Sequence, residues 1–255
     1  MIEFFIFLIG ISIGSFLNVC IYRIPQEESL IPSSHCKACG YGLKVKDLVP
    51  IFSYMFLKGK CRSCGKKISM QYPLIEFING TLYLLLYIKF GFTLIFVKYA
   101  VIGSILIVLA LIDYNTQYVY SIVSWSSIIV SVIFVFIQFL NKEDVSSYII
   151  AALIGVIVFG GINLFSKIIF KKQGLGGGDV EVILCMALTL GLSKFILSFF
   201  LSVTIGAILS IIALGFKKIK RGEYVPFVPF LALGTFITMF FGEEIIRIYM
   251  GYIIP

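Results

Sequence analysis

Long apolar stretches, separated by short polar ones, run through most of this 255-residue chain. Eight such runs occupy residues 4–22, 73–90, 92–112, 119–140, 147–170, 179–193, 195–216 and 227–250. Most of them are close to the roughly 20 residues that an α-helix needs to cross a bilayer. The pattern predicts an all-α fold, a polytopic bundle of about eight transmembrane helices. Seven helices also fit the pattern, because the sixth run is short and its break from the seventh is weak.

The composition agrees with this fold class. Hydrophobic residues make up 60% of the chain and charged residues 13%, against about 25% charged residues in an ordinary soluble domain. A transmembrane β-barrel fits poorly, because barrel strands alternate over about 10 residues whereas these runs are continuous. The first run lacks the basic start and the cleavage pattern of a signal peptide, so we expect it to be retained as a helix.

One large polar insertion, residues 23–72, separates the first two apolar runs. It divides the chain into three predicted parts: a first transmembrane helix (1–22), a loop domain (23–72) and a transmembrane core (73–255). If eight helices alternate, one membrane face receives segments 23–72, 113–118, 171–178 and 217–224. These segments carry 15 of the 21 Lys and Arg residues, so the positive-inside rule places the insertion in the cytoplasm. The net charge of +8 is therefore interpreted as a topology signal beside membrane lipid, not as nucleic-acid binding.

Two Cys-x-x-Cys pairs lie within this insertion, with 21 residues between them. The four cysteines are Cys36, Cys39, Cys61 and Cys64. Two residues between ligands let a tight turn point both thiolates at one ion, and two such turns complete a tetrahedron, so the spacing predicts a zinc site. Gly40 and Gly65 each follow the second cysteine of a pair, where the backbone must turn. Four thiolates leave no open position for water, which predicts a structural zinc.

Other assignments of the thiols and of the single histidine remain open. A redox or structural disulfide is an alternative to zinc, although a reducing cytosol disfavours it. His35 adjoins Cys36 and could replace a ligand, but with four cysteines present we expect it to be a loop residue. Cys20 and Cys185 fall inside predicted helices, where thiols usually behave as small apolar side chains.

Two aspartates lie at the edges of apolar runs, where an ionised carboxylate is costly. Asp113 ends the third run, and Asp179 opens the sixth, directly after the glycine-rich stretch 174–178. The predicted topology places both at the cytoplasmic boundary. Two carboxyl groups that share one proton can act as base and acid, as in an aspartic protease. The pair therefore favours a membrane-embedded aspartyl peptidase.

Several alternatives remain at this stage. The aspartates could be ion or proton sites of a transporter, or the chain could be a membrane-anchored zinc scaffold without catalysis. The glycines before Asp179 could merely break the chain between helices, or they could permit positive φ and close approach of a substrate. Glu76, one turn into the second helix, could bind a cationic group or extend its carboxylate to water.

Several motifs spread along the chain resemble those of the type IV prepilin peptidase family, the bacterial leader peptidases and N-methyltransferases. They are 14–25 (GSFLNVCIYRIP), the two cysteine pairs, 49–54 (VPIFSY), 58–61 (KGKC), 68–76 (ISMQYPLIE), 176–179 (GGGD) and 225–234 (VPFVPFLALG). The resemblance implies that Asp113 and Asp179 form the catalytic dyad of an aspartic endopeptidase. It also implies a structural zinc on the cysteine box and a multi-pass location in the bacterial inner membrane.

The same resemblance implies a substrate and a second reaction. The substrates would be prepilin or pseudopilin precursors, cleaved at the cytoplasmic face after a glycine that ends a short basic leader. The new amino terminus would then be methylated with S-adenosylmethionine. No soluble-type cofactor fingerprint is visible, so the sequence leaves the binding site of the methyl donor unknown.

The chain departs from the family pattern at two places. Many members carry a further acid and a proline shortly after the first aspartate, whereas residues 114–121 contain neither. Asp113 is consequently the single carboxylate available there. Glu181 stands where many members have lysine, which removes a cation that would otherwise lie beside the dyad.

Overall fold

The structure of the chain is a computed structural model that describes residues 1–31, 34–170, 176–217, 220 and 224–253. For residues 166, 167, 169, 170 and 253 it describes the backbone alone. The α-helices of the described part are α1 (Ile2–Arg23), α2 (Phe52–Phe56), α3 (Gln71–Phe90), α4 (Leu94–Thr116), α5 (Ser121–Leu140), α6 (Ser146–Gly155), α7 (Gly161–Phe170), α8 (Gly177–Leu190), α9 (Leu192–Gly215) and α10 (Val228–Ile253). A π-helical segment, Val156–Gly160, joins α6 to α7.

Seven helical stretches in the described part of the chain are long and apolar enough to cross a membrane. They are Ile2–Gln26, Gln71–Phe90, Leu94–Thr116, Ser121–Leu140, Ser146–Phe165, Leu192–Gly215 and Val228–Tyr252. The chain is therefore a multi-pass membrane protein. The predicted all-α fold is confirmed, and the described residues form isolated β-bridges but no strand.

The sixth apolar run becomes α8, a short helix as the sequence pattern indicated, although it ends three residues before the run does. It ends at Leu190 because Gly191 adopts a φ of +74° in the left-handed region, and α9 begins directly afterwards. Its 14 residues rise about 21 Å at about 1.5 Å per residue, less than the roughly 30 Å of the hydrocarbon core. Seven of the eight predicted runs thus reach the length of a membrane span.

The chain folds into two compact units, Met1–Ser104 and Ile105–Pro255. In the first unit α1 packs against α3. A Cβ at Gly10 would lie 2.8 Å from Gly80 Cα, and a Cβ at Gly14 would lie 2.8 Å from Glu76 Cα. Glycine at these positions lets the two backbones approach closely, as small residues commonly do between membrane helices. This close packing fixes Glu76 beside the carboxyl-terminal half of α1.

The second unit places α8 against α5 and α6, and α9 against α10. Small polar side chains line the contact between α5 and α8, where Ser131 Oγ lies 3.1 Å from Thr189 Oγ1 and 3.5 Å from Cys185 Sγ. Hydrogen bonds of this kind hold helices together where water is absent. Cys185 in this unit and Cys20 in the first unit are buried free thiols, in agreement with the small apolar role expected of them.

Candidate active site

Asp113 lies in the last turn of α4 and is 1% exposed. The backbone amide of Val228, the first residue of α10, donates a hydrogen bond to its Oδ2 over 3.0 Å. The amide of Phe227 also lies close to this carboxyl group. The first amides of a helix have no partner within that helix, so Asp113 binds donors that α10 leaves available. Pro229 follows, in the first turn, where a missing amide costs little.

Asp179 is the third residue of α8 and is 5% exposed. Its Oδ2 accepts a hydrogen bond from the Gly176 amide over 3.2 Å, and its own amide donates to the Gly176 carbonyl over 3.1 Å. This reciprocal pair caps the amino end of α8. A carboxylate at this position also interacts favourably with the helix dipole. Each of the two acids therefore accepts a hydrogen bond from a backbone amide at the amino terminus of a helix, α10 for Asp113 and α8 for Asp179.

The second unit brings these two acids together, because the carboxyl groups of Asp113 and Asp179 interact electrostatically. Each of them uses Oδ2 to bind a backbone amide. Each Oδ1 is buried and finds no hydrogen-bond partner among the described residues. Two buried carboxyl groups that influence each other electrostatically can hold different protonation states, which is what acid–base catalysis by paired carboxyl groups requires.

Tyr224 belongs to the same site, although no sequence pattern singled it out. Partial burial raises the pKa of its phenol, and the negative charges of Asp179 and Asp113 raise it further. Its carbonyl oxygen accepts a hydrogen bond from Gln117 Nε2 over 3.4 Å. The phenol therefore lies within electrostatic reach of the two carboxyl groups. Tyr224 directly precedes the motif at 225–234, and this motif was the nearest sequence feature that could have pointed to it.

The glycines before Asp179 serve close packing in the described structure. Gly176 is extended, with φ −61° and ψ 139°, so the positive φ that the sequence suggested is not used there. A Cβ at Gly178 would overlap the side chain of Val119, and one at Gly176 would lie 3.0 Å from Asp179 Oδ2, whereas a Cβ at Gly177 would meet open space. Gly174 and Leu175 lie outside the described residues, as do four of the counted basic residues, Lys171, Lys172, Lys218 and Arg221.

The two glutamates singled out in the sequence bind protein partners. The Glu181 carboxylate accepts a hydrogen bond from Ser124 Oγ on α5. Glu76 is 6% exposed, and its Oε2 accepts a hydrogen bond from the Ile51 amide over 2.7 Å. Ile51 has a φ of +62°, a conformation that costs a β-branched residue energy. Glu76 therefore holds a strained turn of the loop domain.

The four cysteines of the loop domain come together in the first unit. Their sulfur atoms all lie within 4.8 Å of one another, and Sγ of Cys36 and Sγ of Cys64 are 3.9 Å apart. Zn–S bonds of about 2.3 Å in a tetrahedron separate the sulfurs by about 3.8 Å. The cluster could therefore hold a metal ion of this size. His35 is exposed and takes no part in the cluster, as expected of a loop residue.

Each cysteine pair forms the same turn. The Cys36 amide donates to the Tyr41 carbonyl over 2.9 Å, and the Cys61 amide donates to the Lys66 carbonyl over 2.8 Å. Gly40 and Gly65 have φ of +71° and +69°, which confirms that the backbone turns at these positions in a way that favours glycine.

The local backbone also prepares one thiol for metal binding. The amides of Ala38 and Cys39 donate to the sulfur of Cys36 and lower the pKa of its thiol to about 6. The thiolate form, which is the metal ligand, is therefore accessible at neutral pH.

Comparison with known proteins identifies the family. Residues 8–90 match the Bacterial Peptidase A24 N-terminal domain, and residues 100–211 match the Type IV leader peptidase family. A prepilin leader peptidase/N-methyltransferase from Bacillus subtilis (strain 168) is 30% identical over 248 residues, which cover 96% of this chain and 96% of that protein. The chain belongs to the type IV leader peptidase family.

Relatives with the same name occur in Dichelobacter nodosus and Pseudomonas aeruginosa. Each is 29% identical to this chain, with 98% and 96% of the chain and 94% and 92% of the relatives covered. No solved structure matches the chain. The segment that matches the type IV leader peptidase family contains Asp113 and Asp179, and the amino-terminal match contains all four clustered cysteines. Membership of a peptidase family leaves the transporter hypothesis without support.

Proposed function

We propose that the chain is a membrane-embedded aspartic endopeptidase with Asp113 and Asp179 as its catalytic residues. Its substrates are type IV prepilin-like precursors, cleaved after the glycine that ends their basic leader. One observation carries the proposal: two interacting, buried carboxyl groups each bind a helix-terminal amide through Oδ2 and keep Oδ1 unpartnered among the described residues. The relatives named prepilin leader peptidase/N-methyltransferase support this class of substrate.

The proposed mechanism uses the two Oδ1 atoms. One carboxylate, ionised, takes a proton from a water that attacks the scissile carbonyl carbon. The other carboxyl, protonated, donates a hydrogen bond to the carbonyl oxygen and later helps to protonate the leaving amine. Water is the nucleophile, so the step needs no covalent intermediate with the enzyme. The amides of Val228 and Gly176 hold both carboxyl groups in place during the reaction.

The distribution of basic residues indicates how the chain is oriented in the membrane. The loop domain (residues 23–72) and the catalytic pair lie on the cytoplasmic side of a bacterial inner membrane, as the excess of Lys and Arg supports. The apolar stem of the precursor lies among the helices of the core (residues 73–255). Its backbone unwinds locally, because a carbonyl hydrogen-bonded within a helix is not open to attack.

The names of the relatives also support a second activity, N-methylation of the amino terminus released by cleavage. S-adenosylmethionine would supply the methyl group. The four cysteines would hold zinc as a structural ion, which the spacing of their sulfurs supports. Zinc would then fix the two turns of the loop domain relative to each other, since such sites contribute directly to folding.

Cleavage of a purified prepilin-like precursor by the purified enzyme tests the peptidase proposal. Asp113→Asn and Asp179→Asn should each abolish leader removal, a loss at or beyond the upper end of the about 10²–10⁴-fold range typical of general acid–base groups. Asp144→Asn is the matched control, since Asp144 is an exposed loop acid. Full activity in either dyad variant would refute the proposed dyad. If both remained active while a Cys36→Ser variant failed, the zinc-scaffold alternative would be favoured.

A further inference from the structure

The chain from the end of α4 to the start of α5, residues 114–120, forms a surface that the proposed peptidase mechanism does not use. The amide of Gln117 donates a hydrogen bond to the backbone carbonyl of Asp113 over 2.7 Å. A Cβ at Gly178, one residue before the second acid of the dyad, would overlap the side chain of Val119. The segment is therefore held next to both acids, at the end of α4 and at the start of α8.

Three tyrosines belong to this segment. The rings of Tyr118 and Tyr120 lie edge to face with their centroids 5.0 Å apart, while Val119 between them packs against the start of α8. Tyr114, which directly follows the first acid of the dyad, is 67% exposed, and Tyr118 is 60% exposed. The segment thus offers aromatic rings to a partner beside the dyad.

A fourth tyrosine, Tyr224, joins this surface from the connection that precedes α10. Its carbonyl oxygen accepts the hydrogen bond from Gln117 Nε2, which ties the two connections together. Its ring is 51% exposed, and the negative charges of Asp113 and Asp179 reach its phenol. We call these residues the tyrosine cluster: Tyr114, Tyr118, Tyr120 and Tyr224.

The chemistry of the tyrosine cluster suits a cationic group. The face of an aromatic ring attracts a Lys or Arg side chain that lies within about 6 Å of the ring centre, and the two carboxyl groups of the dyad attract it further. Residues 114–121 contain no charged side chain. An acid in this segment would repel the ionised carboxylate of the dyad, whereas neutral rings attract a cation without placing a fixed charge there.

We propose that the tyrosine cluster binds the lysine and arginine side chains of the precursor's leader, an inference that rests on the proposed function. The complementary charge and the continuity of the cluster with the dyad favour this partner. The cations contact the ring faces, and the glycine that ends the leader then reaches the dyad while the apolar stem enters the core. The cluster selects substrates by affinity and takes no part in breaking the peptide bond.

Steady-state cleavage by the purified full-length enzyme in phosphatidylcholine nanodiscs tests this proposal. The probes are a prepilin-like precursor with lysines in its leader and a matched precursor with glutamines in their place. Tyr118→Leu and Tyr224→Leu each remove one ring and should raise KM for the lysine leader about two- to fivefold, with kcat unchanged. KM for the glutamine leader should stay the same. Tyr118→Trp and Tyr224→Trp keep a ring face and should preserve KM for the lysine leader.

Tyr249→Leu is the matched control, because Tyr249 is 64% exposed near the opposite end of α10. It should leave KM unchanged for both precursors. Unchanged KM in Tyr118→Leu and Tyr224→Leu would overturn the proposal. Equal increases of KM for the two precursors would also overturn it and would indicate an aromatic anchor at the membrane interface instead.

Binding of a fluorescent lysine-containing leader peptide separates recognition from catalysis. It is measured on the protein that carries both Asp113→Asn and Asp179→Asn, and adding Tyr118→Leu should weaken it about two- to fivefold. If the unmodified enzyme cleaves neither precursor, the proposed peptidase function fails, and peptide binding alone decides whether the cluster recognises the leader. Efficient cleavage with the same KM for lysine and glutamine leaders refutes the leader contact and leaves the peptidase function intact.

Discussion

The backbone amide of Val228 donates a hydrogen bond to Oδ2 of Asp113 over 3.0 Å, across 115 positions of sequence. The first turn of α10 thereby orients a carboxyl group on the last turn of α4. The donor is a main-chain group, so the contact depends on where α10 starts and not on the identity of the side chain. The closing motif at 225–234 therefore contributes to the candidate site through its backbone.

Removal of this single donor should impair cleavage without touching either acid. Val228→Pro deletes the amide at a helix position where proline is otherwise tolerated. Hydrogen bonds to charged groups contribute about 1.5–3 kcal/mol, so we expect leader cleavage to fall about 10–150-fold. Val228→Ala keeps the amide and is the matched control. Initial rates of cleavage measure the effect, and equal rates in the two variants would contradict an orienting role for this bond.

The glycines before Asp179 should differ in their tolerance of alanine. Gly178→Ala forces a Cβ into Val119 and should cause the largest loss of cleavage, because the start of α8 must move. Gly176→Ala places a Cβ 3.0 Å from Asp179 Oδ2 and should cause an intermediate loss. Gly177→Ala meets open space and should stay within about twofold of the unmodified enzyme, since such surface changes cost at most about 0.5 kcal/mol. A different order in parallel cleavage assays would reject this packing account.

The titration of Tyr224 reports on the carboxyl pair independently of activity. Negative charge nearby disfavours the phenolate and so raises the pKa of the phenol. Asp113→Asn removes one charge, and the pKa of Tyr224 should therefore fall toward its ordinary value. NMR of ¹³Cζ-labelled tyrosine, with the Tyr224 signal assigned by Tyr224→Phe, measures the change. Asp144→Asn should leave the signal unmoved, and an unmoved signal in Asp113→Asn would separate Tyr224 from the dyad.

The turns of the cysteine cluster should depend on two specific glycines. Gly40→Ala or Gly65→Ala places a Cβ on a residue with left-handed φ, at a cost of about 1–2 kcal/mol, and should weaken zinc binding about 5–30-fold. Gly42→Ala is the matched control, because Gly42 has open space around its Cβ position and no positive φ. Competition with a chromophoric chelator measures the affinities. Equal affinities in the three variants would show that the turns do not limit metal binding.

Local patterns predicted the parts of this protein that depend on local sequence. The apolar runs predicted the membrane spans, and the spacing of Cys36, Cys39, Cys61 and Cys64 predicted a cluster that the structure forms. The end of α8 was misjudged, because apolar residues continue past Leu190 while the left-handed conformation of Gly191 stops the helix. That conformation is a property of one residue within an apolar stretch, and hydrophobicity alone does not report it.

The contacts that orient the candidate site could not be predicted in the same way. Val228 binds Asp113 through an amide that every residue except proline possesses, and Tyr224 approaches the acids only once the helices have packed. The Glu76 contact with Ile51 likewise joins two distant segments through a main-chain group. Such long-range backbone contacts leave no composition or periodicity in the sequence.

The modest length of α8 affects how water reaches the reaction. If its Leu190 end meets one surface of the hydrocarbon layer, its Asp179 end stops about 9 Å short of the other surface. A bilayer accommodates such a mismatch by thinning locally, which draws head groups and solvent down toward the carboxyl pair. The water for peptide hydrolysis would then reach the carboxyl pair through a locally thinned part of the bilayer and not through a tunnel in the protein. Cleavage would slow as the acyl chains of the host membrane lengthen.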